Sequence, residues 1–138
     1  MKITLVDLTY TQQSIASDVV PAAIGMLAEY VESKIPNLPK INLVKFPEEL
    51  SLELKQKKPD LIGFSNYVWN SSLSDAYAKR LKEVYPDTIS VMGGPNFPTD
   101  KDEQKKYLSE RPWIDFYIVK EGEHALYKLI NFFLEKKN

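Results

Sequence analysis

Five short apolar runs alternate along this chain with stretches whose apolar residues recur at helical spacing. The runs are ITLVD (3–7), INLVK (41–45), LIGFS (61–65), ISVMGG (89–94) and FYIV (116–119). Each is about as long as a strand, and several are apolar at consecutive positions, the pattern of strands covered on both faces. Between them, Val20, Ile24, Leu27 and Val31 form one apolar stripe, Leu73, Tyr77, Leu81 and Val84 a second, and Leu126, Leu129, Ile130 and Phe133 a third. Residues 48–57 and 100–110 read as weaker helices, the latter mostly polar, at the surface, with Tyr107 and Leu108 docked. Ser72 followed by Asp75 resembles a capping box, and Pro59, Pro86 and Pro112 fall where helices should have ended. Strand followed by helix, five times over, predicts an α/β, doubly wound, five-stranded parallel sheet with helices on both faces and strand order 2-1-3-4-5. Residues 1–138 read as a single domain, with no internal repeat.

Composition enters by what it excludes. Lys and Arg number 18 against 19 Asp and Glu, which argues against a broad electrostatic footprint for nucleic acid, though not against a local patch, and no nucleic-acid or membrane partner is expected. The chain has no cysteine, which removes disulfides, thiolate metal sites, iron–sulfur ligation and cysteine nucleophiles. A single histidine, His124, makes a two-histidine metal site impossible. The opening MKITLVDLT is too short and too acidic for a signal peptide, and no apolar run approaches a membrane span. The expected compartment is the cytoplasm.

In a sheet of this kind, ligands bind outside the carboxyl ends of the strands. The residues there are Asp7 to Gln13, Phe46 and Pro47, Ser65 to Asn70, Gly93 to Phe97, and Lys120 to His124. The set is rich in small, hydroxyl, amide and aromatic groups and poor in matched acid–base pairs, so no catalytic residue is expected. One glycine of Gly93-Gly94 reads as a turn requiring positive φ, whereas two together suggest close approach of a flat ligand. The pair is neither a Walker-type phosphate loop nor a dinucleotide fingerprint. Ser65, Asn66, Tyr67, Trp69 and Asn70 read either as a helix cap with aromatics on the rim or as a polar and aromatic pocket wall. Gly122 breaks the end of the fifth strand. Glu123 begins the last helix, where the macrodipole favours it, and Glu121 has less structural reason for its place. His124 reads as a first-turn residue facing solvent or the crest. Asp7 reads as an Asx turn or as a functional acid at the end of the first strand.

Together, VPAAIGMLAEYVE, KPDLIGFSNYVWNSSLSDAYAKRLKEVYP, ISVMGGPNFPTD and IDFYIVKEGEHALYKLI resemble the cobalamin (B12)-binding domain, in the version at the N-terminus of B12-dependent radical S-adenosylmethionine enzymes. The resemblance covers almost the whole chain and implies a flavodoxin-like fold with cobalamin on the crest. It implies a slot beside the sheet for the cofactor's nucleotide tail, lined by the end of the third strand (Ser65, Asn66 and Tyr67, with Tyr where Leu is usual) and by Gly93, Gly94 and Pro95. Glu121 and Gly122 complete the implied set. The family's Asp-x-His-x-x-Gly motif, whose His ligates cobalt, is replaced here by Asp7-Leu8-Thr9-Tyr10-Thr11-Gln12. The resemblance therefore implies base-off cobalamin without a protein histidine ligand, with Thr9, Tyr10 and Gln12 lining the lower face and no metal ligand from this chain.

The implied partner is a C-terminal radical S-adenosylmethionine domain, absent here, carrying S-adenosylmethionine and an iron–sulfur cluster, neither bound by this chain. The sequence is accordingly expected to be a fragment of a longer protein performing methyl transfer or related chemistry, and not catalytic alone. Two rivals stand beside it: a cobalamin-free docking domain of the same fold, using Tyr67, Trp69 and Phe97, and a receiver-like module using Asp7 and Lys120. The receiver would need an acid where Ser65 stands.

Overall fold

A computed structural model describes residues 1–11 and 19–137. Five strands, β1 (Ile3–Val6), β2 (Asn42–Val44), β3 (Leu61–Ser65), β4 (Ile89–Gly93) and β5 (Phe116–Ile118), alternate with five helices, α1 (Ala22–Lys34), α2 (Pro47–Gln56), α3 (Ser71–Val84), α4 (Lys101–Ser109) and α5 (Glu123–Lys137). All strand pairs are parallel and the order is β2-β1-β3-β4-β5. This is the flavodoxin-like α/β architecture predicted from the alternation of runs.

Strand alternation divides the interior into two cores. Ile3, Leu5, Leu61 and Val91 face α1 and α5, where Ile24, Val31, Leu126 and Ile130 meet them. Val6, Ile62, Phe64 and Met92 face the other way, against Leu50 of α2 and Ala78 and Leu81 of α3, with Tyr107 and Leu108 of α4 packed at the margin. The central strands β1 and β3 are buried at every position, Thr4 and Ser65 included, as their mostly apolar sequences lead one to expect. The outer strands depart from that pattern. β2 and β5 are three residues each and leave Leu43 and Phe116 exposed, because an edge strand has a neighbour on one side only.

Helix starts differ in part from the sequence reading. At α4, Asp100 forms a cap that the sequence reading did not single out, its Oδ1 accepting from the amides of Asp102 at 3.0 Å and Glu103 at 3.1 Å. The expected Ser72–Asp75 capping box does not form. The helix begins two residues earlier, with Asn70 at the cap position, and Asp75 instead accepts from Trp113 Nε1 at 2.9 Å and pairs with Arg111 at 3.3 Å. A carboxylate facing an indole N–H and a guanidinium at the margin of the second core makes charge-assisted contacts that a single helix amide would not match. Among the described residues, no helix is long and apolar enough to cross a membrane.

Leu81 is 1% exposed in the second core. Leu81→Ala should lower unfolding free energy by about 2–5 kcal/mol in urea denaturation, with unchanged far-UV dichroism.

Candidate functional site

The sheet's carboxyl edge is organised by how β3 and β4 end. Ser65 lies opposite Gly93 in register, and the chain leaves both strands held together, Asn66 N donating to Gly93 O at 2.7 Å. Asn66 is fully buried. Its Nδ2 donates to Asn96 O at 2.7 Å and to the Tyr117 hydroxyl at 3.0 Å, with the Tyr107 hydroxyl at 3.2 Å. Asn96 returns its amide N–H to Asn66 O at 3.1 Å, and Tyr117 donates its hydroxyl to Gly94 O at 2.9 Å. Phe97 stacks on Tyr117 with ring centres 3.7 Å apart and meets Tyr107 edge-on. Burial pushes the Tyr117 phenol up to about 12, opposed by its hydrogen bond to Asn66. Burial raises Tyr107 too, against the nearby Arg111 charge. The aromatics of the GGPNF loop and its neighbours thus tie the loop to β5 and α4.

A second knot joins β1 to β3. Ser65 Oγ donates to Asp7 Oδ1 at 2.5 Å, and Asn70 Nδ2 donates to Ser65 Oγ at 2.9 Å and to Leu8 O at 3.1 Å. Ser74 Oγ, from the first turns of α3, donates to Ser65 O at 2.9 Å. Asp7 is therefore spent on holding the crest, an arrangement beyond the local Asx turn that its position suggested.

Between these knots and helices α1 and α5 opens a cleft of about 410 Å³. Its floor is the sheet face on which Leu5, Gly63 and Val91 stand side by side in register. Ala23, Ile24, Met26 and Leu27 of α1 and Leu126 of α5 form the wall. Ser65, Tyr67, Pro95 and the turn Lys120–Glu123 surround the mouth. Lys120 holds a left-handed backbone, φ 67°, as the chain swings from β5 into α5.

The two neighbouring glycines serve different ends. Gly94 has φ 131°, and a Cβ there would lie 2.6 Å from Asn66 O, so the turn itself demands glycine. Gly93 has no such requirement. A Cβ on it would sit 3.6 Å from Ile118 O, an ordinary contact. Gly93 borders the cleft, and its missing side chain leaves that part of the floor open.

Of the residues singled out in the sequence, Ser65, Tyr67, Gly93, Gly94, Pro95, Glu121 and Gly122 are brought together around this cleft. Asn66 is placed behind it as the buried tie just described. Thr9 and Tyr10 are half-buried in the loop after β1, Thr9 N donating to Lys45 O at 3.2 Å, and neither lines the cleft. Gln12 lies outside the described residues. His124 is exposed on the first turn of α5. Gly63 and the α1 wall were not foreseen as site residues. The signal for Gly63 was a lone glycine inside an apolar strand, which marks close approach: a Cβ there would meet Leu5 Cδ2 at 2.7 Å. Among the described residues, no cluster of three His, Cys, Asp or Glu could hold a metal ion.

The model of the B12 binding domain family matches residues 11–130. This chain belongs to the B12-binding domain family. Two curated relatives are similar over about half of it. A cobalamin-dependent radical SAM methyltransferase, TokK of Streptomyces tokunonensis, is 36% identical over 73 residues, 53% of this chain and 10% of the relative. The 2-(S-pantetheinyl)-carbapenam-3-carboxylate methyltransferase of Streptantibioticus cattleyicolor is 33% identical over 72 residues, 52% of this chain and 10% of the relative. The matched segment of this chain thus covers about a tenth of the length of each of these curated relatives.

The glycine pair separates turn from cleft in a stability measurement. Gly94→Ala should cost about 2 kcal/mol or more, whereas Gly93→Ala should change urea stability by less than about 1 kcal/mol. The buried phenol predicts an alkaline limit. Tyr117 ionises near 12 when folded against 10.0 as the ordinary value, so the unfolded chain gives up this proton first. Its contribution is therefore complete below pH 10 and is lost as pH rises from 10 towards 12. Urea midpoints followed across that range should fall, and fall less in Tyr117→Phe.

Proposed function

We propose that this chain holds cobalamin at the carboxyl edge of its sheet, with the nucleotide tail in the cleft between the sheet and helices α1 and α5. The observation that carries the reading is Gly93: a floor position with room for a side chain, kept bare beside an apolar cleft at the carboxyl ends of the strands. Membership of the B12-binding domain family supports it.

The residues divide the work. Gly63 and Gly93 keep the floor low, Ile24, Leu27 and Leu126 exclude water from the wall, and the Ser65–Asp7–Asn70 knot fixes the rim on which the corrin would rest. Thr9 and Tyr10, in the loop after β1, are the proposed lining of the lower face, together with Gln12, which lies outside the described residues. A tail lodged in the cleft would hold its base away from cobalt, and with the chain's one histidine on α5, no histidine of the loop after β1 would take its place. Bound cobalamin would supply a cobalt centre for methyl transfer or related chemistry.

The rest of that chemistry belongs to a partner. A radical S-adenosylmethionine domain, C-terminal in a longer protein of which this chain is a fragment, would bind S-adenosylmethionine and an iron–sulfur cluster. A cysteine-free chain cannot ligate that cluster. The methyltransferase relatives favour this arrangement.

A second reading rests on the crest surface. Val68 is 82% exposed and Trp69 64%, with Trp69 stacked on Tyr67 at 4.5 Å between ring centres. On that reading the domain docks a partner without cobalamin.

Titration with hydroxocobalamin followed by desalting separates the two. Retention of about one cofactor per chain, with a spectrum shifted from the free form, is the expected result. Gly93→Val should abolish retention while leaving far-UV dichroism and urea stability nearly unchanged. A folded Gly93→Val that retains cobalamin normally would move the tail out of this cleft, and no retention by the parent chain would favour docking.

A further inference from the structure

The depth and the mouth of the cleft differ in chemistry. The side chains that face it from Leu5, Ile24, Leu27, Val91 and Leu126 are hydrocarbon, and Gly63 contributes none. Backbone polar groups of the floor are engaged in the ladder, because Leu5, Gly63 and Val91 are interior positions of paired parallel strands. Among the described residues, hydrogen-bonding side chains that line the cleft stand at the carboxyl edge, from Ser65, Tyr67, Lys120, Glu121 and Glu123. Even there Ser65 is committed: its one proton goes to Asp7 at 2.5 Å, and its oxygen accepts from Asn70 at 2.9 Å. A base that reaches the depth of this cleft loses its water and meets no hydrogen-bonding side chain there.

We infer that the cleft selects among cobamides by the polarity of their lower base, accepting benzimidazole or phenolic bases and disfavouring adenine. The inference rests on the reading that the nucleotide tail enters the cleft. Benzimidazole and adenine are fused five- and six-membered rings of nearly the same outline, so shape does not separate them. Adenine adds an exocyclic amine and further ring nitrogens, each desolvated without a partner on this floor. The six-membered ring of benzimidazole presents only C–H or methyl groups, and a phenolic base has no ring nitrogen. Apolar pockets reject polar isosteres modestly, so the expected discrimination is on the order of 10- to 100-fold.

The test compares the affinities of the 138-residue chain for four ligands by tryptophan quenching and visible absorbance. They are cobalamin with its dimethylbenzimidazole base, a cobamide with a p-cresol base, a cobamide with adenine, and tailless cobinamide. Cobalamin and the p-cresol form should bind alike, with the adenine form at least tenfold weaker. Val91→Thr, nearly isosteric, places a hydroxyl on the floor and should narrow that ratio several-fold. Equal affinity for the adenine form and cobalamin would overturn the inference. So would a folded Val91→Thr with an unchanged ratio, which would place the selection outside this floor. Cobinamide binding as tightly as cobalamin would overturn the inference and the tail's placement, while leaving cobalamin binding itself intact. Failure of all four to bind would overturn the cobalamin reading, and this inference with it.

Discussion

The carboxyl edge of this molecule depends on one junction, where β3 and β4 end side by side and stay joined beyond their last paired residues. Asn66 N reaches Gly93 O at 2.7 Å, and Asn96 N reaches Asn66 O at 3.1 Å. A backbone approach this close is possible because Gly94 has no Cβ, which would otherwise lie 2.6 Å from Asn66 O. Around the junction the buried Asn66 amide collects the Tyr117 hydroxyl and the Asn96 carbonyl. A fully buried side-chain amide with these partners is well satisfied, and such a network specifies one loop geometry. The loop that borders the cleft is therefore set by contacts behind it.

That separation of labour explains why the cleft can stay apolar and open. The groups that could have filled it with polar chemistry are turned to structure: Asp7 and Asn70 on Ser65, and Asn66 on the aromatic knot. What remains facing the depth of the cleft is apolar side chains and bare backbone, with polar side chains at its carboxyl edge. At its depth such a surface presents no ionisable side chain. It suits holding a large ligand in one orientation while a reaction proceeds on another part of that ligand, as membership of the B12-binding domain family leads one to expect.

Asn66 and Gly63 show where reading residues along the chain falls short. Asn66 stands in the middle of a polar and aromatic stretch at a strand end and reads naturally as part of a pocket wall. Its side chain instead points behind the wall, because β alternation places it opposite Ser65. Gly63 reads as part of an apolar run, yet it is the position over which Leu5 lies and on which the floor's depth depends. Helix α1 was visible as a stripe with Ile24 and Leu27, but a stripe says only that a face is buried. It does not say that part of that face borders a cleft.

Sequence alone determined the elements, their order and the two-faced burial of the central strands. Those follow from local periodicity and from the rule that alternating strands and helices wind a parallel sheet. It also determined what the chain cannot do: without cysteine, and with one histidine, it holds no iron–sulfur cluster and no two-histidine metal site. Only the tertiary structure decided which of two adjacent glycines makes the turn and which opens the cleft. The reason is that a glycine's role depends on what its absent Cβ would have met. For Gly94 that neighbour is the backbone of residue 66, and for Gly93 it is Ile118 at ordinary contact distance beside open space. Neither neighbour is near in sequence, and strand pairing alone brings them together.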